Sequence, residues 1–185
     1  MAASGSSELQ TRERTRTIED YYNSKDMSEY QPVEIETGLF LGCGTTGRNK
    51  AALIEAGIKH ILIVENGIYP PYKDTFDYLV IPTLDLDFYD LKQHLPNTNA
   101  YIDHARSNGG VLVHCSSGIS SSPAVVIAYL MYENKMSFFD AMQHVIKRLP
   151  SAWPNDGFQE QLQQFELELA DQRGFFSSVP QPSSV

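Results

Sequence analysis

The stretch from Val111 to Met131 limits the possible folds more than any other part of the chain. Val111-Leu-Val113 is a short apolar run that follows Asn108-Gly109-Gly110 and reads as a buried strand. A serine-rich turn over 114–121 comes next, and Ser122-Pro123 reads as an N-cap with proline at the first helical position. Behind it, Ala124-Val-Val-Ile-Ala-Tyr-Leu-Met131 is apolar on nearly every side. A helix of that kind has no face for water and belongs in the middle of a core.

The rest of the chain repeats this alternation of strands and helices. Leu39-Phe40-Leu41 reads as a strand, and Asn49 to Ala56 as a helix closed by Gly57. His60 to Val64 and Tyr78 to Ile81 read as buried strands by their length and β-branching. Leu91 to Ser107 has helical spacing, with Pro96 either kinking the helix or marking its true start. Ser137-x-x-Asp140 resembles a capping box and opens a helix towards Arg148. Gly157 to Ala170 carries Phe158, Leu162, Phe165 and Leu169 on one face. Strands alternating with helices predict an α/β domain whose central sheet is largely parallel and flanked by helices. The expected organisation is a polar tail at 1–27, one domain at 28–172 and a Ser/Pro-containing tail at 173–185.

Composition narrows the function. A formal charge of -9 argues against broad binding to nucleic acid or anionic lipid. No apolar run reaches the length of a membrane helix, and the N-terminus lacks the pattern of a secretory signal. The two cysteines, Cys43 and Cys115, cannot build a disulfide scaffold and suit a reducing compartment, so a cytoplasmic or nuclear protein is expected. Cys43 reads as a structural thiol. His60, His94, His104 and His144 are scattered without metal-ligand spacing, so no metal or organic cofactor is expected. Trp153 reads as packing under the last helix.

In parallel sheets, ligands lie where strands end and helices begin, which directs attention to Val113–Ser122. A loop wrapping from a buried strand into a helix N-terminus points successive N–H groups inwards and adds the positive end of the helix dipole. Such a nest suits a phosphate dianion, and it favours the thiolate of a cysteine at its rim. His114-Cys115-Ser116-Ser117-Gly118-Ile119-Ser120-Ser121-Ser122 resembles the signature of the protein tyrosine phosphatase superfamily in its dual-specificity form, His-Cys-x-x-Gly-x-Ser-Arg-Ser. The match holds at His114, Cys115, Gly118, Ser120 and Ser122 and fails at Ser121, where the family has arginine. The likeness extends over roughly residues 30 to 170, through Ile35 to Gly42, Gly57 to Ile63, Ala128 to Met131 and Pro154-Asn155-Asp-Gly157-Phe158.

The resemblance implies a cysteine-phosphatase fold and a set of roles. Cys115 would be the nucleophile, His114 would support the loop, and Ser122 would hydrogen-bond the sulfur. Ser116, Ser117, Gly118, Ile119, Ser120 and Ser121 would surround the phosphate. The family's general acid lies some thirty residues before the cysteine, which points to Asp85, with Asp87 and Asp90 as alternatives. Serine in place of arginine removes a planar, bidentate cation from a reaction that depends on positioning and charge stabilisation. Losing even one neutral donor from such a site costs about 10²–10³ in rate. Arg106, Lys147 and Arg148 are the basic residues nearest in sequence to the relevant helices, and none visibly compensates.

Two readings follow. The first is a pseudophosphatase that binds phosphorylated proteins, through phosphotyrosine or phosphoserine and phosphothreonine, or binds their kinases. The resemblance supplies a precedent in the serine/threonine/tyrosine-interacting (STYX-type) pseudophosphatases, which depart from the motif at the cysteine and keep the arginine. The second is a slow phosphatase that works through a Cys115 phosphocysteine.

Overall fold

A computed structural model describes residues 26–177, with side chains to Gly174. Most of the two expected tails lies outside these residues. Five strands, β1 (Val33–Glu36), β2 (Leu39–Gly42), β3 (Ile58–Val64), β4 (Asp77–Ile81) and β5 (Gly110–His114), form one sheet in the order β1-β2-β5-β3-β4. Among the described residues only β1 pairs antiparallel, in a tight hairpin with β2, and every other pair is parallel. The helices are α1 (Lys50–Glu55), α2 (Leu95–Ser107), α3 (Ser121–Glu133), α4 (Phe138–Arg148) and α5 (Asp156–Ser177). The expected α/β architecture, with a largely parallel sheet flanked by helices, is the observed one.

Strand periodicity sorts the core into two layers. Leu39, Leu41, Leu62, Val64, Val111 and Val113 face one side, where α2, α3, α4 and α5 pack. Phe40, Ile61, Ile63 and Leu112 face the other side, covered by Leu53 of α1 and by Phe76. Helix α3 is the hub of the larger layer, with every residue from Ser121 to Met131 buried. Fully burying one of its Val, Ile or Leu side chains contributes about 1.5–3 kcal/mol, so this helix anchors the fold.

Several local expectations need correction. Helix α3 begins at Ser121, with Ser120 at the cap position and Pro123 in the third helical position. Ser122 therefore is not the N-cap, and its hydroxyl is free for another partner. Strand β4 is an edge strand with only Ile81 buried, because β3 covers one side of it and, among the described residues, no strand covers the other. Pro96 marks a start and makes no kink: Lys92–His94 is a 3₁₀ turn and α2 follows with proline in its first turn. Trp153 does not pack under the last helix but is 57% exposed. Asn49 caps α1 by accepting the Ala52 N–H, and Ser137 caps α4 by accepting the Asp140 N–H. Among the described residues, no helix is long and apolar enough to cross a membrane.

Candidate functional site

Strand β5 runs through the middle of the sheet between β2 and β3, so its C-terminal end opens where three parallel strands finish. The loop after His114 closes at once into α3, which brings residues 115–120 around the first turn of that helix. Cys115 is buried, and its Sγ accepts hydrogen bonds from the Gly118 N–H (3.2 Å) and the Ser122 hydroxyl (3.2 Å). The loop can turn back on the sulfur because Gly118 has φ +75°. A Cβ at that position would also stand 2.8 Å from the Gly42 carbonyl oxygen, so the close approach of β2 requires glycine as well.

His114 lies under the loop. Its Nδ1–H donates to the Cys115 carbonyl oxygen at 3.1 Å, which fixes the proton on Nδ1 because a carbonyl only accepts. Burial holds its pKa down at about 4; the hydrogen bond to Cys115 opposes that shift and the Arg48 charge adds to it. The imidazole is therefore neutral at physiological pH.

Of the three candidate acids, only Asp85 reaches the loop. Its Oδ1 accepts the Ser120 hydroxyl at 2.6 Å and the Asn155 side-chain amide at 2.8 Å. Asn155 in turn donates its backbone N–H to Ser120 Oγ at 3.0 Å and caps α5 by accepting the Phe158 N–H at 2.8 Å. Ser120, Asp85 and Asn155 thus tie the cysteine loop, the 82–90 loop and the start of α5 together. The Asp90 side chain accepts the Gln93 N–H, while the backbone of Asp87 presses on Gly157.

The remaining loop residues divide by exposure. Ser121 is buried as the first residue of α3, while Ser116, Ser117 and Ile119 reach solvent. The Ile119 N–H donates to Ser117 Oγ, and the Ile119 carbonyl accepts the Trp153 N–H at 2.6 Å. The Ser116 N–H donates to the Glu65 carboxylate.

The two arginines nearest the motif in sequence do not replace the missing one. Arg106 bonds the Thr37 carbonyl and the Tyr129 hydroxyl and pairs with Glu36, and Arg148 bonds the Glu34 carbonyl. Both are committed to the β1 hairpin, away from the loop.

Two members of this constellation carried no role in the sequence reading, Glu65 and Asn155. Glu65 immediately follows β3, so the rule that places sites at strand C-termini covers it as it covers Cys115. Asn155 belongs to the quoted Pro154-Asn155 pair, but its contact with Asp85 spans seventy residues and leaves no local pattern. Cys43 follows the last residue of β2 and is half-buried. Burial works against its thiolate, but hydrogen bonds involving Thr46 and Thr45 outweigh that effect and lower its pKa.

Comparison with known proteins identifies the family of the fold. The family model described as dual specificity phosphatase, catalytic domain, matches residues 39–168. Dual specificity protein phosphatase 1B of Arabidopsis thaliana is 44% identical over 146 residues, which cover 78% of this chain and 84% of that protein. Three MAP kinase phosphatases with leucine-rich repeats from Dictyostelium discoideum match at 40–42% identity, and the chain spans only 16–19% of their length. The solved structure of a point variant of human DUSP28 superposes with a TM-score of 0.74 at 35% identity, over 77% of this chain and 98% of that one. The human tyrosine phosphatase-like serine/threonine/tyrosine-interacting protein superposes with a TM-score of 0.72 at 34% identity, over 76% of this chain and 99% of that one.

Proposed function

The chain belongs to the dual-specificity phosphatase family, and from that premise we propose that it is a pseudophosphatase that engages phosphorylated proteins with little or no hydrolysis. The observation that carries this reading is Ser121. It is neutral and buried at the first turn of α3, where the family motif has arginine, and neither Arg106 nor Arg148 bonds to the loop in its stead. A dianion there would be held by backbone N–H groups, hydroxyls and the helix dipole. Those donors can bind phosphate, but they do not supply the bidentate cation that follows charge into the transition state.

A rim suited to protein partners supports the binding reading. Leu84 (46% exposed), Phe88 (85%), Ile119 (43%) and Trp153 (57%) are large apolar side chains on the segments that frame the loop. Residues of this type anchor protein interfaces. The named activity of the Dictyostelium relatives makes phosphorylated kinases a candidate partner class.

A second reading, a slow phosphatase, has its own support in the Cys115 and Asp85 geometry. Cys115 Sγ would attack phosphorus as the bond to the substrate oxygen breaks, and Asp85 would deliver the proton to that oxygen. Water, deprotonated by the same carboxylate, would then release phosphate from the sulfur.

The deciding experiment is single-turnover hydrolysis of an aryl phosphate by the parent, Ser121→Arg and Cys115→Ser. The pseudophosphatase reading expects no Cys115-dependent turnover in the parent and a gain of about 10²-fold or more in Ser121→Arg. Parent turnover that disappears with Cys115→Ser would overturn it in favour of the slow enzyme.

A further inference from the structure

The loop already holds an anion, and that anion belongs to the protein. The Ser116 N–H, the first after Cys115 in the series that would face a phosphate, donates to the Glu65 carboxylate. We infer that Glu65 is a specificity-determining residue that occupies part of the phosphate cradle and must be displaced or repelled when a phosphate binds. The inference deepens the proposed function, since it rests on the 115–121 loop being the phosphate site.

Position and charge carry the inference. Glu65 is the first residue after β3, which pairs with β5 up to Ile63↔His114, so its side chain starts from the strand beside the cysteine. The Gly118 N–H is turned towards Cys115 Sγ and the Ile119 N–H towards Ser117 Oγ, so three of the loop's amides have partners within the protein. An arginine at position 121 would have balanced a carboxylate on this loop; serine does not.

The ligand class follows. A free phosphate dianion has to compete with a tethered carboxylate for the Ser116 N–H, meets its charge, and gains nothing elsewhere. A phosphorylated residue presented by a protein makes further contacts on the exposed Leu84, Phe88, Ile119 and Trp153 surface, which offset the displacement of Glu65. Glu65 therefore selects phosphoprotein over free phosphate and small phosphate esters.

The test measures inorganic phosphate binding by calorimetry to the full chain and to Glu65→Gln, Glu65→Ala, Ser121→Arg and Ser121→Arg/Glu65→Gln. Glu65→Gln keeps the side chain's size and its carbonyl acceptor but removes the charge, so a merely structural role would leave affinity unchanged. The inference expects phosphate to bind about tenfold tighter or better in Glu65→Gln and in the double variant relative to its Ser121→Arg parent. If Ser121→Arg gains phosphate affinity while Glu65→Gln changes neither background by more than about twofold, the Glu65 inference fails and the phosphate-loop reading stands. If none of the five proteins binds phosphate, both fail. Should Glu65→Ala not fold, the isosteric glutamine variants still decide the outcome.

Discussion

Replacing Gly157 with alanine should loosen the 82–90 loop from α5. The backbone of Asp87 lies directly on Gly157, and a Cβ there would stand 1.9 Å from the Asp87 carbonyl oxygen and 2.5 Å from its carbonyl carbon. Every atom met is backbone, so no rotamer change relieves the contact. The 84–90 segment must retreat by roughly 1 Å or more to reach ordinary van der Waals separation. That retreat pulls Asp85 from Ser120 Oγ and from the Asn155 amide, which now bond it at 2.6 and 2.8 Å. Overpacking of this kind costs about 1–3 kcal/mol, and the loosened hydrogen bonds add about 1 kcal/mol. Alanine returns up to about 1 kcal/mol of helix propensity, and less in a first turn. The net loss should be about 2 kcal/mol, which lowers the melting temperature of a chain this size by about 4–8 °C. Circular dichroism melts of parent and variant measure it. In the Ser121→Arg background the same change should also lower Cys115-dependent hydrolysis by at least about tenfold, since Asp85 leaves the loop. A Gly157→Ala protein that melts at or above the parent temperature would refute the reasoning, because the 82–90 loop would then make room for a methyl group at no cost.

Two further outcomes follow from the buried groups under the loop. The folded-state pKa of His114, about 4, lies below its unfolded value of 6.5, so the unfolded chain takes up the proton first as pH falls. The stability this histidine contributes is complete above pH 6.5 and is lost down to about pH 4, a loss of roughly 3 kcal/mol. Urea unfolding at about pH 7 and about pH 4.5 should therefore show the parent losing more stability than His114→Gln, and equal losses would remove His114 as the sensor. Gly118→Ala should cost about 2–4 kcal/mol in the same urea assay, since it combines φ +75° with a 2.8 Å approach to the Gly42 carbonyl oxygen. A neutral result there would mean that the loop can relax away from β2.

How much of this protein its residues reveal in order depends on the range of the interactions involved. Helix α1 and its Gly57 stop, the Ser137 cap, the apolar α3 and the strand–loop–helix at Cys115 are legible because each is set by neighbours within a few positions. The same locality makes Ser121 visible as the departure from the family motif. Boundaries decided by competition between near-equal local states are less legible. Ser120, Ser121 and Ser122 give the same local signal for a helix start, while distant partners separate them: the Ser120 hydroxyl donates to Asp85 and the Ser122 hydroxyl to the Cys115 sulfur. The edge position of β4 is hidden because a strand's own sequence does not state how many neighbours it has.

The remainder of the site depends on contacts between distant segments. That Asp85, and not Asp87 or Asp90, bonds the cysteine loop depends on the path of the 82–90 loop, which α5 holds in place through Gly157 and Asn155. Trp153 is a core residue by type, yet the fold leaves it exposed with its backbone bonded to Ile119. Glu65 is one carboxylate among many in the sequence, and only the parallel pairing of β3 with β5 sets it beside the Ser116 N–H. Local order along the chain was enough for the α/β class, the cysteine loop and the loss of its arginine, because backbone preference and motif chemistry act over a few residues. The charges that surround that loop were settled by strand order and helix packing, since electrostatic and hydrogen-bond partners are chosen by distance in space and not by separation along the chain.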